Sequence, residues 1–186
     1  MNIGFAVCGS FCTFNQIFPV MEELGRKHDV TPIFSYNAYT TDTRFGLASD
    51  HIKKATEICG RQPIHTIAQA EPIGPKKLLD ILVVAPCTGN TLAKLAHSIA
   101  DTPVTMAVKS HLRNGRPVLI AISTNDALGG AAENIGKLLG RKHYYFVPFS
   151  QDDPKTKSTS MIADFSKIDA AVEAASKSIQ LQPMIL

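Results

Sequence analysis

Residues 85–94 bring together small hydroxyl and amide side chains whose chemistry suits the binding of a phosphate. They read APCTGNTLAK and directly follow the apolar run ILVV. This order predicts a buried strand that delivers Thr88, Asn90 and Thr91 to the first turn of a helix. Helix N-termini attract anions, because their first backbone N–H groups lack intrahelical partners and the helix dipole is positive there. The segment therefore predicts a phosphate site.

Small polar residues also follow three other apolar runs of the chain. Gly9 and Ser10 follow the first run, Ser35 lies at the end of the second, and Thr124 and Asn125 follow a later one. Ligands of parallel α/β sheets bind beyond the carboxyl ends of the strands. We therefore expect these residues to lie around the same site as the phosphate-binding segment.

The elements that must position these residues alternate between strand and helix. Continuous apolar runs predict strands at 3–8, 30–36, 80–85, 117–123 and 144–147. Apolar residues at helical spacing predict helices near 14–21, 47–59, 92–99, 104–112, 128–139 and 168–179. Continuous rather than alternating apolar strands favour a parallel sheet covered on both faces. The predicted fold class is α/β, a three-layer α/β/α arrangement of flavodoxin-like or Rossmann-like type.

Two local features of these elements are also predicted. Pro19 favours a start of the first helix after Asn15, because proline is tolerated only in the first turn of a helix. Thr13 and Gln16 have the spacing of a capping box, which indicates an earlier start. The polar segment 150–160 is expected to be mobile.

Length and composition predict one globular domain over residues 1–186. Hydrophobic residues make up 45% of the chain and charged residues 19%, as is usual for a protein with a packed core. The formal net charge of +3 is mild and suits anionic small molecules. No polybasic run or basic–aromatic array indicates a nucleic acid partner.

The four cysteines have neither C-x-x-C spacing nor neighbouring histidine ligands, so no metal site is predicted. They are expected to be reduced thiols of a cytoplasmic protein. The first residues lack the charged and apolar regions of a signal peptide. No segment approaches the roughly 18 apolar residues of a membrane span, so no membrane association is expected.

Two absent motifs narrow the class of cofactor. The first strand is followed by GSFCT at 9–13 rather than by G-x-G-x-x-G, which argues against a standard dinucleotide site. The chain also lacks G-x-x-x-x-G-K-[ST], the phosphate-binding loop of nucleotide triphosphatases. The remaining interpretation is a hydroxyl-rich site for a mononucleotide.

The motif at 85–94, followed by Ile99, Ala100 and Asp101, resembles the signature of the FMN-binding cysteine-decarboxylase flavoproteins. That family usually reads A-P-x-S-A-N-T-x-A-K and then a small-residue A-D. The resemblance implies FMN as the cofactor and assembly into homo-oligomers. It implies FMN contacts for the following residues: Gly9, Ser10, Ser35, Ala85, Pro86, Thr88, Gly89, Asn90 and Thr91.

A narrower resemblance involves the segments 70–77, 87–91, 109–117, 123–126 and 146–154. They resemble a family of flavoprotein-like proteins from endospore-forming bacteria that work as one half of a two-component enzyme. This resemblance implies a nicotinamide-binding partner, the A subunit, which carries NADP. Together the two components would oxidise a cyclic dicarboxylate to pyridine-2,6-dicarboxylate during sporulation.

The chain departs from the decarboxylase pattern at two places. The decarboxylases have a catalytic histidine shortly before the third strand, whereas the nearest candidate here is His65, fifteen positions before Asp80. Their later A-P-A-M-N motif reads AISTN at 121–125, where only Ala121 and Asn125 are retained. Asn125 is carried over as a candidate catalytic residue. An FMN-dependent decarboxylase of cysteine-derived substrates and a non-catalytic assembly subunit are the alternative functions.

Four further residues are candidates for chemistry on the substrate. Imidazole transfers protons near neutrality, which makes His65 and His111 catalytic candidates, although histidines more often pack or face solvent. A dicarboxylate requires cationic donors, which Lys109 and Arg113 offer. These two side chains equally suit a solvated helix C-terminus.

Overall fold

The centre of the molecule is a seven-stranded sheet, seen in a computed structural model that describes residues 1–186. The strands are β1 (Asn2–Val7), β2 (Asp29–Phe34), β3 (Ile81–Cys87), β4 (Val118–Thr124), β5 (Tyr144–Phe146), β6 (Phe149–Gln151) and β7 (Met161–Ala163). The helices are α1 (Phe14–Lys27), α2 (Tyr36–Thr40), α3 (Ala48–Cys59), α4 (Ile67–Ala70), α5 (Gly89–Ala96), α6 (Pro103–Leu112), α7 (Ala132–Leu139) and α8 (Ile168–Ser176).

The sheet is parallel through most of its width, in the order β2-β1-β3-β4 with β5 beside β4. This order is typical of flavodoxin-like folds. Helices α1 and α8 pack on one face, and α5, α6 and α7 pack on the other. The predicted three-layer α/β/α fold is therefore confirmed.

The sheet departs from parallel pairing at one edge. Strand β5 pairs only with the first part of β4, and Ser123 and Thr124 at its end pair antiparallel with Ile162 and Met161 of β7. Strand β6 then adds antiparallel to β7. The connection of nine residues between β6 and β7 is too short for a parallel crossover, so these two strands run antiparallel to each other.

The hydrophobic core explains why the strands contain uninterrupted apolar runs. All seven residues of β3 are buried, as are the first six of β4. One connected cluster of 48 buried residues extends through the sheet and both helical layers. Strands that are buried on both faces need no polar alternation, as the sequence predicted.

Helix α1 starts earlier than Pro19 predicted. It begins at Phe14, directly after a 3₁₀ turn, and Pro19 is its sixth residue. Pro19 and Asn15 are both exposed, so the Asn15 carbonyl that loses its helical N–H partner can face water. The capping box is also absent, because the Thr13 hydroxyl donates to the Ser10 carbonyl at 2.8 Å.

The two helices in the second half of the chain are shorter than predicted. Helix α7 begins at Ala132, and Leu128, half exposed, belongs to the turn before it. Helix α8 ends at Ser176, and a left-handed residue, Ser178, then redirects the chain so that Ile179 is exposed. No helix combines the length and apolar character that crossing a lipid bilayer requires.

Candidate functional site

A polar cavity of about 780 Å³ lies where the carboxyl ends of β1, β3 and β4 meet. Its walls are formed by residues 9–13 after β1, 88–90 at the start of α5, 123–126 at the end of β4, and 152, 157 and 160–162 around β7, with Phe45 at one side. This is the edge of the sheet at which ligands of such folds bind.

Six of the residues predicted for the site lie together in this cavity: Gly9, Ser10, Thr88, Gly89, Asn90 and Asn125. The Ser10 and Ser123 hydroxyl oxygens are 2.8 Å apart, so a hydrogen bond joins the end of β1 to the end of β4. The predicted convergence of the strand ends is therefore observed, and contact with a cofactor stays a prediction.

The N-terminus of α5 forms one wall of the cavity. Thr88 caps this helix, since its hydroxyl accepts a hydrogen bond from the Thr91 N–H at 3.4 Å. The N–H groups of Gly89 and Asn90 precede the first intrahelical hydrogen bonds. Together with the Ser10 hydroxyl, these groups provide the donors that a phosphate needs.

A side chain at Gly89 would require neighbouring side chains to move. A Cβ placed there would be 2.8 Å from both Thr124 Oγ1 and Asp126 Oδ1. The Thr124 hydroxyl also donates a hydrogen bond to the Asp126 carboxylate. The chain departs from the decarboxylase motifs at Gly89, which replaces alanine, and at Thr124, which replaces methionine. These two residues are therefore neighbours in the structure.

Charged groups enter the cavity from the connection between β6 and β7. Lys157 Nζ lies 3.3 Å from Asp152 Oδ2. The pKa of Asp152 is lowered: partial burial opposes ionisation, but hydrogen bonds from Ser160, Lys157 and the backbone and the charge of Lys157 outweigh it. Lys157 is the one lysine or arginine side chain that lines this cavity.

The cavity also has an apolar part that suits a flat ring. Phe11 and Phe45 line it beside β1, and Met161 and Ile162 line it at β7. Apolar walls with a few convergent polar groups are typical of cofactor sites. With the donors of the α5 N-terminus, the residues present fit a phosphorylated cofactor that carries an aromatic ring.

Four residues predicted to contact the cofactor lie outside the cavity. Ala85 and Pro86 are buried inside β3. The Thr91 hydroxyl donates to Cys8 Sγ at 3.3 Å, in the core. The Ser35 hydroxyl accepts a hydrogen bond from the Ala38 N–H at 3.2 Å as the cap of α2. The Thr91 and Ser35 hydroxyls are thus already engaged within the protein, which the sequence motif does not reveal.

Neither candidate catalytic histidine reaches the cavity. The His65 ring stacks on Tyr39, with centroids 4.0 Å apart, and its Nδ1 lies 3.1 Å from the Pro63 carbonyl. His111 is fully buried, with Nε2 3.0 Å from the Pro117 carbonyl. Burial is the main cause that lowers the pKa of His111 to about 4, so its ring is neutral and enclosed. This position gives His111 no access to a substrate.

The two cations predicted to bind the substrate line a different cavity. Lys109 lies on α6 and Arg113 directly follows it, beside a cavity of about 500 Å³ near the carboxyl end of α5. The first cavity instead contains Lys157. The reason is topological, because α6 leads toward the amino end of β4, away from the edge where the strands end.

Sequence reasoning missed the residues that the β6–β7 connection brings to the cavity, Asp152, Lys157 and Ser160. They belong to the segment that was expected to be mobile, and no periodicity marks them. Thr124 and Asp126 were more accessible to prediction, since they directly follow a buried strand. Only the antiparallel return of β7 brings the two groups together.

Comparison with known proteins agrees with this geometry. The model of the Flavoprotein family matches residues 1–171. The dipicolinate synthase B subunit of Bacillus subtilis (strain 168) is 44% identical over 186 residues, which are 100% of this chain and 93% of the relative.

Solved structures give the same result. The crystal structure of the dipicolinate synthase B subunit from Bacillus halodurans C has a TM-score of 0.91 and 42% identity, and the match covers 100% of this chain and 95% of that chain. Burkholderia xenovorans DmrB in complex with FMN shares the fold, with a TM-score of 0.70, 17% identity and coverage of 95% and 96%. The chain belongs to the flavoprotein family and, within it, to the family of the dipicolinate synthase B subunit.

Proposed function

We propose that this chain works as the B subunit of a dipicolinate synthase. With a nicotinamide-binding A subunit, it converts dihydrodipicolinate, or the hydroxytetrahydro precursor, to dipicolinate in the cytoplasm of sporulating cells. The observation that carries the proposal is the 44% identity, over the whole chain, to a relative of that name. The cavity at the carboxyl edge of the sheet supplies a site for the chemistry.

The proposed cofactor of this cavity is FMN. The family match and the FMN complex of a protein with the same fold support it. Ser10, Thr88 and the first N–H groups of α5 would hold the phosphate, because they offer hydroxyl and amide donors at a positive helix end. Phe11 and Ile162 would pack against the ring. Bound FMN supplies a two-electron acceptor.

The side chains of the cavity suit a dicarboxylate. Lys157 offers a cation to one carboxylate, and Asp152 holds that cation in place. The Asn125 amide offers both a donor and an acceptor beside the end of β4. The proposed role of these residues is to orient the ring of the substrate and to exclude water from it.

The overall reaction requires an acceptor for electrons. Conversion of dihydrodipicolinate to the aromatic ring removes two hydrogens, as one proton and one hydride equivalent. The proposed final acceptor is NADP on the A subunit, with the cavity of this chain completing the site. Assembly into homo-oligomers is part of the same proposal.

The structure gives less support to the alternative function, an FMN-dependent decarboxylase of cysteine-derived substrates. His65, the candidate for its catalytic histidine, is stacked on Tyr39 and lies outside the cavity. The serine and threonine at 123–124 replace two residues of the A-P-A-M-N motif, and Thr124 is engaged with Asp126.

Reconstitution tests the proposal. The chain is mixed with the A subunit, NADP and dihydrodipicolinate, and the formation of dipicolinate is followed by ultraviolet absorbance with and without FMN. We expect the chain to accelerate the reaction beyond the rate of the A subunit on its own, and FMN to increase that rate. A matched reaction with Lys157→Gln should show a raised KM. Equal rates with and without the chain would refute a catalytic role and favour an assembly subunit.

A further inference from the structure

The second cavity, of about 500 Å³, lies at the opposite end of α5 from the FMN cavity. One wall is the face of α6 that carries Thr105, Val108 and Lys109. The other wall is the connection 141–144 between α7 and β5. No residue lines both cavities, so a ligand of the second cavity would not touch the cofactor site.

Four cationic side chains face this cavity: Lys109, Arg113, Arg141 and Lys142. None of them forms an ion pair, whereas ten ion pairs occur elsewhere in the chain. No aspartate or glutamate lines the cavity. The local positive charge is therefore not neutralised by the protein itself, which favours an anionic ligand.

The cations are arranged on two sides. Lys109 lies in the last turn of α6, and Arg113, four residues later, caps that helix with helical backbone angles, so both lie on the same side of it. Arg141 and Lys142 belong to the opposite wall. A ligand with two anionic groups can contact both walls at once.

Arg141 is held in place by the end of α5. Its Nη1 donates to the Leu95 carbonyl at 3.0 Å, and its Nη2 donates to the Ala96 carbonyl at 2.6 Å. Such bonds satisfy carbonyls that the helix leaves without partners. Arg141 is thus a positioning residue for this wall, and Lys109, Arg113 and Lys142 remain free for a ligand.

The interior of the cavity is apolar and contains one phenol. Leu95 and Val108 are buried, and Ile99 is 46% exposed beside them. Burial raises the pKa of Tyr144 to about 12, so its hydroxyl stays protonated and can donate a hydrogen bond. The cavity thus suits a ligand with a compact apolar body.

Two residues of the cavity have an uncommon backbone conformation. Ser98 has a φ of 59° and His143 a φ of 69°, and both line the cavity. Ser98 follows the end of α5, where its N–H donates to the Leu95 carbonyl and the Ile99 N–H donates to the Lys94 carbonyl, as is usual for a left-handed residue after a helix. The end of α5 therefore fixes this part of the cavity wall.

We propose that this cavity is a second binding site, which takes a small dicarboxylate with a compact apolar body. Lys109 and Arg113 bind one carboxylate, and Lys142, beside the fixed Arg141, binds the other. The site goes beyond the proposed function, since it needs neither FMN nor the nicotinamide-binding partner. A dicarboxylate bound here would be a regulatory ligand and not the substrate, because this cavity shares no residue with the cofactor site.

Calorimetric titration of the full chain with pyridine-2,6-dicarboxylate, in metal-free buffer, tests the site. We expect saturable binding that weakens at least tenfold in the double variant Lys109→Gln/Arg113→Gln. The matched control Lys76→Gln/Lys77→Gln removes two cations outside either cavity and should bind as the unmodified chain does. Benzoate, with one carboxylate, should bind more weakly, and sulfate should not compete.

Four results would overturn the proposal. They are no saturable binding, equal binding by the Lys109/Arg113 variant and the unmodified chain, equal competition by sulfate, and loss of binding only with Lys157→Gln. If the dicarboxylate does not bind, but the Lys109→Gln/Arg113→Gln variant loses affinity for the nicotinamide-binding partner, the occupant of the cavity is an acidic protein segment. Flavin absorbance, measured separately, reports FMN binding in the first cavity. Failure of the proposed function and failure of the second binding site can therefore be distinguished.

Discussion

Gly89 shows how one atom decides the shape of the cofactor cavity. A Cβ there would overlap Thr124 Oγ1 and Asp126 Oδ1 at 2.8 Å, and Gly89 is the first residue of α5. We expect Gly89→Ala to lower the free energy of unfolding by about 1–3 kcal/mol, as overpacking does. It should also weaken FMN binding, because the Thr124 and Asp126 side chains, which line the cavity, must move.

Gly136 provides the matched control for this substitution. It lies within α7, and a Cβ there meets nothing within 4 Å. Gly136→Ala should therefore raise the free energy of unfolding by about 0.5–1 kcal/mol. Urea unfolding and FMN titration of both variants measure the difference. Equal effects at the two positions would contradict the close contact at Gly89.

His111 links protonation to stability. Its folded-state pKa is lowered to about 4, below the value near 6.5 of an unfolded chain. The unfolded state therefore binds the proton more readily, and the free energy of unfolding falls as the pH drops below about 6.5. At about 1.4 kcal/mol per pH unit, roughly 2 kcal/mol is lost between pH 7 and pH 5.

The variant His111→Gln should lack this component of the pH dependence, whatever its stability at pH 7. Urea unfolding at pH 7 and pH 5 measures it, with exposed His97→Gln as the control that keeps the dependence. An unchanged slope in His111→Gln would contradict the burial of a neutral ring.

At the scale of the elements, substitution of two threonine helix caps can distinguish an effect on stability from an effect on cofactor binding. Thr88 caps α5 at the cavity, and Thr102 caps α6 away from it. Each side chain accepts a hydrogen bond from the N–H three residues later, so Thr88→Val and Thr102→Val should each cost about 1 kcal/mol of stability. Only Thr88→Val should also weaken FMN binding.

Thermal unfolding and flavin absorbance titration distinguish the two effects. A loss of FMN affinity of the same size in Thr102→Val would mean that the change reflects general destabilisation. Unchanged affinity in Thr88→Val would remove the N-terminus of α5 from the cofactor site.

At the scale of the whole molecule, the connection between β6 and β7 joins the edge of the sheet to the cavity. Lys155 and Lys157 in it are exposed, and Lys157 lines the cavity. We expect trypsin to cut first at these lysines, because exposed connections are preferred sites of cleavage. FMN should slow the cleavage, since a ligand that contacts the connection stabilises its folded conformation.

Mass spectrometry of the fragments over time, with and without FMN, measures this effect. First cleavage elsewhere in the chain would contradict the mobility predicted for 150–160. Equal rates with and without FMN would show that the ligand does not contact the connection.

The sequence by itself determined the layers, because short uninterrupted apolar runs that alternate with helical patterns indicate strands covered on both faces. It also located the phosphate-binding end of β3 and the polar ends of β1 and β4, since chemistry at the carboxyl edge follows directly from the end of each buried run. Six of the predicted site residues met there for this reason.

Only the tertiary structure decided which polar groups were already satisfied and which faced the cavity. Thr91 and Ser35 have the right types and positions, yet Cys8 and the cap of α2 use their hydroxyls. Lys109 and Lys157 carry the same charge, but they line different cavities because their segments lie at different ends of the sheet. Side-chain direction and the antiparallel return of β7 depend on contacts between distant segments, which local sequence patterns do not encode.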